Sequence, residues 1–417
     1  MRHETSRPVK PPALPSPRSN DSCPSPLTKG GSRGVLPAAS KIRRSLLAWY
    51  DRNRRDLPWR RRANDPYAQW VAEIMLQQTR VETVLDYYER FLRCFPTVQA
   101  LATADHESVL KAWEGLGYYR RVLHLHRAAR QVCASGGAIP DTVDALRELP
   151  GVGEYTAAAI ASIAFRVPIA AVDGNVARVL SRLFRLPAHP AAPEGKRMTA
   201  ERARALLSKK RPGDFNQAWM DLGSLICIPR APRCAACPLA GDCQGFQTGD
   251  AESFPVPKTR RSVKIRPMPI TVGVLMQGGR MLVRRRPEGG LWSGLWEFPN
   301  VEPRRGEKSL LALGRLVDDV SATLVGAPRN AGTVRHELTH RSLRMRVYVG
   351  EVTPNGTTKP VHRWVTPAAF AKLAVSTAHR RVFEAAEALR RRSDAQGLDG
   401  DADHRRVAAK HRFTSTA

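Results

Sequence analysis

Residues 149–165 read LPGVGEYTAAAIASIAF. An apolar helix end, a Pro-Gly-Val-Gly turn and a second, Ala-rich helix describe two helices joined by a tight hairpin. Gly151 and Gly153 permit left-handed backbone and close approach. Backbone N–H groups at the start of the second helix can then face a phosphate, so the stretch reads as a helix–hairpin–helix, a grip on DNA that ignores base sequence. An ordinary helical hairpin with glycine caps shows the same local pattern, and charge favours the first reading. The 417 residues carry 67 Lys and Arg against 38 Asp and Glu, a formal net charge of +29. Such a surplus repels itself unless a polyanion is near. It is not confined to the ends: Arg52, Arg54, Arg55, Arg60, Arg61 and Arg62 cluster early, and no acidic residue falls between Lys258 and Arg286.

Outward from the hairpin the chain divides by style. Residues 1–40 are rich in Pro, Ser, Gly, Lys and Arg and read as a disordered basic tail. From 41 to 249 apolar residues recur at helical spacing with short Gly/Pro breaks. Residues 250–265 read as a basic linker. In 266–392, ITVGVLM, GRMLVRRR, LRMRVYVGEV and HRWVTP read as strands, and PAAFAKLAVS and HRRVFEAAEALRRR as helices, a separate α+β domain. Residues 393–417 read as a flexible tail. AAAIASIAF is too short to cross a bilayer, and the first twenty residues lack the apolar core of a secretory signal. Seven cysteines, three scattered and four clustered, fit a reducing, cytoplasmic compartment and one metal site better than a disulfide framework.

The cluster is CIPRAPRCAACPLAGDC, residues 227–243, where Cys227, Cys234, Cys237 and Cys243 are separated by six, two and five residues. Four thiolates in so short a loop select zinc or iron–sulfur. Structural zinc usually takes two closely spaced ligand pairs, and only Cys234 and Cys237 form one, so the spacing favours a [4Fe–4S] cluster over zinc. Arg230 and Arg233 within the loop suit a staple for a DNA-facing surface better than a redox catalyst. Two carboxylates stand out. In YAQWVAEIMLQQTRV, Trp70, Glu73, Ile74 and Gln77 share one helix face. Partial desolvation there raises the Glu73 pKa, as a general acid requires. Asp173 precedes a helix in AVDGNVARVLSRLF, where it serves as an N-cap or faces a developing cation.

AEIMLQQTRVETV, WEGLGYYRR, LPGVGEYTA, VDGNVARVL, FNQAWMDLG and the four-cysteine loop, in this order, resemble the endonuclease III superfamily of DNA glycosylases and, within it, the A/G-specific adenine DNA glycosylase (MutY) family, over about residues 41–392. The resemblance implies a mostly α helix–hairpin–helix glycosylase domain with a [4Fe–4S] loop, followed by a Nudix-like α+β domain. It implies Glu73 as catalytic acid, Asp173 as second carboxylate, Asn175 as an active-site amide, and Tyr155 where the lyase branch holds a nucleophilic lysine, hence a monofunctional enzyme. Gln78 and Tyr118 match residues that wedge into the duplex, and Arg60 and Gln217 match positions near the extruded adenine. The implied partner is double-stranded DNA carrying 8-oxoguanine:A or G:A mispairs, bound by a monomer, nucleoid-associated in a bacterium.

GGLWSGLWEFPNVE resembles the early strand and loop of the Nudix fold. In the stretch nearest the hydrolase box, GRLVDDVS, Arg315 is followed by Leu316, and only Asp318 and Asp319 resemble the acidic pair, so no hydrolysis is expected. The family's 8-oxoguanine loop reads Phe-Ser-His, and here Leu338, Thr339 and His340 occupy those places. The resemblance implies hydrogen bonding by Thr339 and His340 without the aromatic. Two rivals are a glycosylase/lyase for oxidised pyrimidines, disfavoured by Tyr155 and the extra domain, and a non-enzymatic cluster-bearing DNA-binding protein, disfavoured by the joint presence of Glu73 and Asp173.

Overall fold

Ala39, Ile42, Leu46, Trp49 and Tyr50 recur at three- and four-residue spacing and are all buried. This stripe pins a helix, Ser32–Asn53, that begins before the boundary expected at residue 40. Ala39 already packs in the core, so order reaches into the segment read as tail. The computed structural model describes residues 32–257, 267–338, 341–357 and 359–392, the first seven by backbone alone. The expected basic linker falls partly, and the C-terminal tail wholly, outside the described residues.

Up to Leu225 the described chain is helical, as the spacing predicts. The helices wrap two apolar cores. One gathers Trp70, Ile74, Phe91, Trp113, Leu125 and Ile160. The other gathers Leu46, Tyr50, Leu180, Phe215, Trp219 and Leu222, joining the first helix to Gly174–Leu183, Pro193–Leu206 and Pro212–Leu225. A small seam containing Ala158, Ala159, Ile163 and Ala171, with Tyr155 and Met220 against it, lies between them. The helices carrying the two candidate carboxylates thus belong to different cores, bridged by Glu154–Ala164 packed on Pro66–Leu76 and by Pro212–Leu225 packed on both Glu154–Ala164 and Gly174–Leu183.

The C-terminal domain is one seven-stranded mixed sheet: β1 (Pro267–Gln277), β2 (Arg280–Arg285), β3 (Trp296–Glu297), β4 (Asn300–Val301), β5 (Ala322–Glu337), β6 (Ser342–Pro354) and β7 (His362–Val365). The order along its main path is β3-β2-β1-β6-β5, with β4 against β1 and β7 against β2. β1 and β6 run parallel, Pro267 opposite Ser342 through Met276 opposite Glu351. The remaining pairings between these strands are antiparallel. Helices Ser309–Asp319 and 377–392 cover the sheet. β5 and the Ser309–Asp319 helix carry no expectation from the sequence. Most of β5 is exposed, so it lacks the apolar alternation that marks a half-buried strand. Among the described residues no helix is long and apolar enough to cross a membrane.

Candidate active site

The helix Pro66–Leu76 starts where Pro66 follows Asp65, whose side chain accepts from Ala68 N. It is apolar nearly all round, so its one carboxylate is carried inside: Glu73 is 4% exposed. Gln69, one turn earlier and also buried, donates Nε2–H to Glu73 Oε1 at 2.9 Å. Glu73 Oε2 has no partner of good geometry. Burial pushes the carboxyl up to about 7, against the opposing pull of the Tyr155 hydroxyl and Gln69; the field of Asp173 pushes in the same direction as burial. The Tyr155 hydroxyl points at Met220 Sδ, 3.7 Å away, and lies within reach of Glu73.

Asp173 is the helix N-cap that the sequence allowed. It caps Gly174–Leu183, with Oδ1 accepting from Val176 N at 2.7 Å. Its Oδ2 accepts from Asn175 Nδ2 at 3.1 Å. Burial raises this carboxyl too, with the cap bonds and Arg178 opposing. Asn175 Oδ1 in turn accepts from Arg178 Nη2 at 2.8 Å. The close approach behind Asn175 needs Gly223, where a Cβ would stand 2.7 Å from Asn175 Cβ. Glu73, Tyr155 and Asp173 therefore share one electrostatic neighbourhood, although they come from both sides of the seam. The arrangement sets a desolvated carboxyl with a raised pKa in the field of a second carboxylate that caps a helix N-terminus.

Arg60 and Gln217 are also brought together: Arg60 Nε donates to Gln217 Oε1 at 2.8 Å. Arg60 Nη1 reaches Asp221 Oδ2 at 2.7 Å, and Arg55 reaches Asp221 Oδ1 at 2.6 Å. Asp221, fully buried, carried no sequence expectation, because its partners lie far away along the chain.

The hairpin differs from expectation at one glycine. Gly151 has φ +82°, and a Cβ there would sit 2.9 Å from His124 Cβ. Gly153 has φ −91° and open space around it. Its backbone is that of an ordinary helix N-cap, so left-handed freedom is required only at Gly151. Gln77 ties the end of the Glu73 helix to this turn, donating to Thr156 Oγ1 at 3.2 Å.

Gln78 and Tyr118 are both exposed, and both are non-glycine residues with positive φ, 58° and 48°. Their loops are held by Arg121, whose guanidinium donates to the carbonyls of Ile74, Met75, Gln77 and Gly117 and to Thr79 Oγ1. Both wedge candidates line a cleft of about 1020 Å3 between the domains, together with Trp292, His336, Leu338 and Arg341. Leu338 N donates to Arg341 O at 2.8 Å, closing the loop between them, while Thr339 and His340 lie outside the described residues. The aromatic missing at position 338 has a neighbour the sequence did not single out: Trp292, in contact with the His336 ring at 5.7 Å between centroids.

Cys227, Cys234, Cys237 and Cys243 line one small apolar cavity beside Arg182. Among the described residues no group of three or more His, Cys, Asp or Glu is arranged to hold a single metal ion. The four thiols face a common space all the same, as donors of a larger group would. Burial raises the thiols of Cys234 and Cys243 and pushes Cys237 up to about 12. Thiols so placed gain charge only when a metal replaces the proton. Arg182 donates to Cys227 Sγ at 3.4 Å and to the carbonyls of Ile228 and Pro229, while Arg230 and Arg233 face solvent.

Residues 71–207 match the model of the HhH-GPD superfamily base excision DNA repair protein, and residues 271–385 match that of the NUDIX domain. The adenine DNA glycosylase of Rattus norvegicus is 39% identical over 410 residues, covering 84% of this chain and 78% of the relative. The chain belongs to the adenine DNA glycosylase family. The Homo sapiens member is 39% identical over 402 residues, 82% of this chain and 73% of that protein. A thermostable thymine-DNA glycosylase structure covers 52% of this chain and 99% of its own, at 29% identity and TM-score 0.48. The glycosylase is thus an enzyme of base excision repair with an appended Nudix domain.

Proposed function

We propose that this glycosylase hydrolyses the N-glycosidic bond of adenine mispaired with 8-oxoguanine or guanine, without cleaving the strand. The observation that carries the reading is the buried Glu73, its carboxyl raised to about 7 and its Oε2 unpartnered, beside Tyr155 and Asp173. Extrusion of the adenine costs a few kcal/mol of unstacking, least at a mispair. Gln78 and Tyr118, exposed at the cleft, are suited to fill the space left in the duplex. Arg60 and Gln217 offer polar groups to the purine edge.

Glu73 then delivers its proton to adenine N7 as the C1′–N9 bond breaks and the bonding pair leaves with the base. The Asp173 carboxylate, supported by Asn175, faces the oxocarbenium-like sugar, and water supplies the hydroxyl that ends on C1′ while its proton returns to the Glu73 carboxylate. Tyr155 offers no amine for a Schiff base, which supports a monofunctional reaction. Leu338, Thr339 and His340 of the second domain would meet the 8-oxoguanine, with Trp292 lining the same cleft as Leu338. The thiol set and its common cavity support a [4Fe–4S] cluster held by Cys227, Cys234, Cys237 and Cys243, a structural staple for the Arg230–Arg233 surface.

Single-turnover excision on 8-oxoguanine:A duplex tests the reading. The native enzyme releases adenine and leaves an intact abasic strand, and Glu73→Gln binds the duplex without releasing base. Release by the variant at a near-native rate would remove Glu73 as the acid, and borohydride trapping of the native enzyme on DNA would remove the monofunctional assignment.

A further inference from the structure

Between the two domains, one carboxylate is gripped from both sides. Glu114 Oε2 accepts from Lys111 Nζ at 2.5 Å, within its own domain. Its Oε1 accepts from Arg380 Nε at 2.6 Å, on the terminal helix of the Nudix domain. Both cations also converge on one strip of Nudix backbone. Lys111 Nζ donates to the carbonyls of Ala371 and Leu373 at 2.8 and 3.1 Å. Arg380 donates to those of Phe370, Ala371 and Leu373 at 3.0, 3.2 and 2.6 Å. Apolar packing follows the same line: Leu295 and Ala374 of the Nudix domain are buried in the core of the glycosylase domain, and a Cβ on Gly294 would stand 3.2 Å from Leu110 Cδ1.

Glu114 also lies near the start of the loop, residues 113–119, that carries Tyr118. After it come Gly115 and Gly117, both with positive φ, and then Tyr118, again with positive φ. Gly115 N donates to the Tyr119 hydroxyl at 3.1 Å, and Trp113 Nε1 donates to Gly117 O at 3.1 Å. Its far end is fixed within the glycosylase domain by these bonds and by Arg121. Its near end is held both by Glu114 N donating to Lys111 O within the glycosylase domain and by the Glu114 side chain bonded to Arg380 of the other domain. Leu116 buries in the glycosylase core between them, so Glu114 on one side and Arg121 on the other both bear on where Tyr118 stands.

We propose that Glu114 is a positioning residue through which docking of the Nudix domain sets the loop that presents Tyr118 to the duplex. It links the domain facing the base opposite adenine to the side chain beside the extrusion site, so that the 8-oxoguanine preference depends on the Arg380–Glu114–Lys111 joint. The dependence on 8-oxoguanine rests on the function proposed above; the mechanical link does not.

Two measurements on the full-length protein separate these parts. Hydrogen exchange of the free protein reads the link directly. Arg380→Met, a change in the other domain, and the near-isosteric Glu114→Gln each raise exchange of the 115–119 amides on the order of tenfold, and leave the 150–153 turn unchanged. Effects confined to 370–374 with the 115–119 amides at native rates would overturn the proposal. In single-turnover excision, both variants lower the ratio of 8-oxoguanine:A to G:A rates on the order of tenfold, and the double variant falls no further than the larger single effect, as a shared interaction requires. An unchanged ratio, or additive losses, counts against the joint. A native enzyme showing no preference between the two duplexes would instead sink the proposed specificity, while the exchange result still decides the link.

Discussion

Glu73→Gln should make the folded protein more stable at alkaline pH while abolishing its chemistry. The side chain is buried, and burial raises its pKa from the ordinary 4.5 to about 7. Between those values the folded state holds a proton that the unfolded chain has released, so raising the pH favours unfolding. Stability tied to this group is fully present below 4.5 and is lost as the pH rises through about 7. At roughly 1.4 kcal/mol for each pH unit across that window, the loss is about 3 kcal/mol. Glutamine does not titrate, has nearly the same shape, and keeps an oxygen for the Gln69 amide that now bonds Glu73 Oε1. The Asp173 carboxyl is also raised and its effect runs the same way, but it is largely common to both proteins.

Hydrogen exchange of the slowest amides in the helices Pro66–Leu76 and Glu154–Ala164 provides the assay, each pH being compared between the two proteins so that intrinsic exchange rates cancel. Protection should be equal near pH 4.5 and on the order of a hundredfold greater in the variant near pH 8, the ratio that about 3 kcal/mol implies. A variant less protected than the native protein at pH 8, or a difference that ignores pH, would refute the reasoning: Glu73 would then be charged and well solvated in the folded state, and no acid at neutral pH.

The excision rate should fall as pH rises through about 7, when Glu73 loses its proton, and Asp221→Asn should move that limb to lower pH because it leaves the Arg60 charge free to pull on Glu73. Asp173→Asn should keep the fold, since asparagine caps a helix nearly as well, yet slow single-turnover excision by at least about a hundredfold, the scale of losing one preorganised electrostatic group. Arg121→Met should reduce excision about tenfold or more on every mispair and raise exchange at Gln78 and Thr79 as well as at Gly117, because one guanidinium serves both loops. Cys237→Ser should cost the purified protein its iron and visible absorbance, and the 227–243 loop its resistance to protease; full retention of both would argue against a shared ligand set.

What could be read from the chain alone was whatever is local or periodic. The helix carrying Glu73 announces itself by its apolar run after Pro66, the hairpin by its glycines, and the four-cysteine loop by thiol spacing. Asp173 could be seen at a helix start, but not whether it served the cap or the chemistry; the structure has it doing the first with Oδ1 and leaves Oδ2 to Asn175. What escaped was held by distant partners. Asp221 matters because Arg55 and Arg60, more than 150 residues earlier, turn toward it. Arg121 resembles any other arginine in a basic chain until its carbonyl partners are seen. β5 escaped for a different reason: Gly326, Pro328 and Gly332 interrupt it and most of its side chains meet solvent, so no alternation survives in the sequence.

The electrostatics of the site run against those of the whole molecule, and this explains the buried aspartate. A chain with a net charge of +29 tends to strip protons from its carboxyls, and Arg60 is close enough to Glu73 to lower its pKa. The proposed reaction uses Glu73 as an acid, which requires the nearby cation to be muted. Asp221, with no exposure to solvent, takes Arg60 on one oxygen and Arg55 on the other, and Gln217 occupies the Arg60 Nε. Among the influences on Glu73, Arg60 is then a minor one and desolvation dominates. The same surplus that draws the enzyme to a polyanion is thus kept from ionising the group that must donate a proton once the polyanion is bound. A carboxylate between two arginines costs desolvation and adds little net stability. Its burial near Glu73 fits the protonation state that the proposed acid requires.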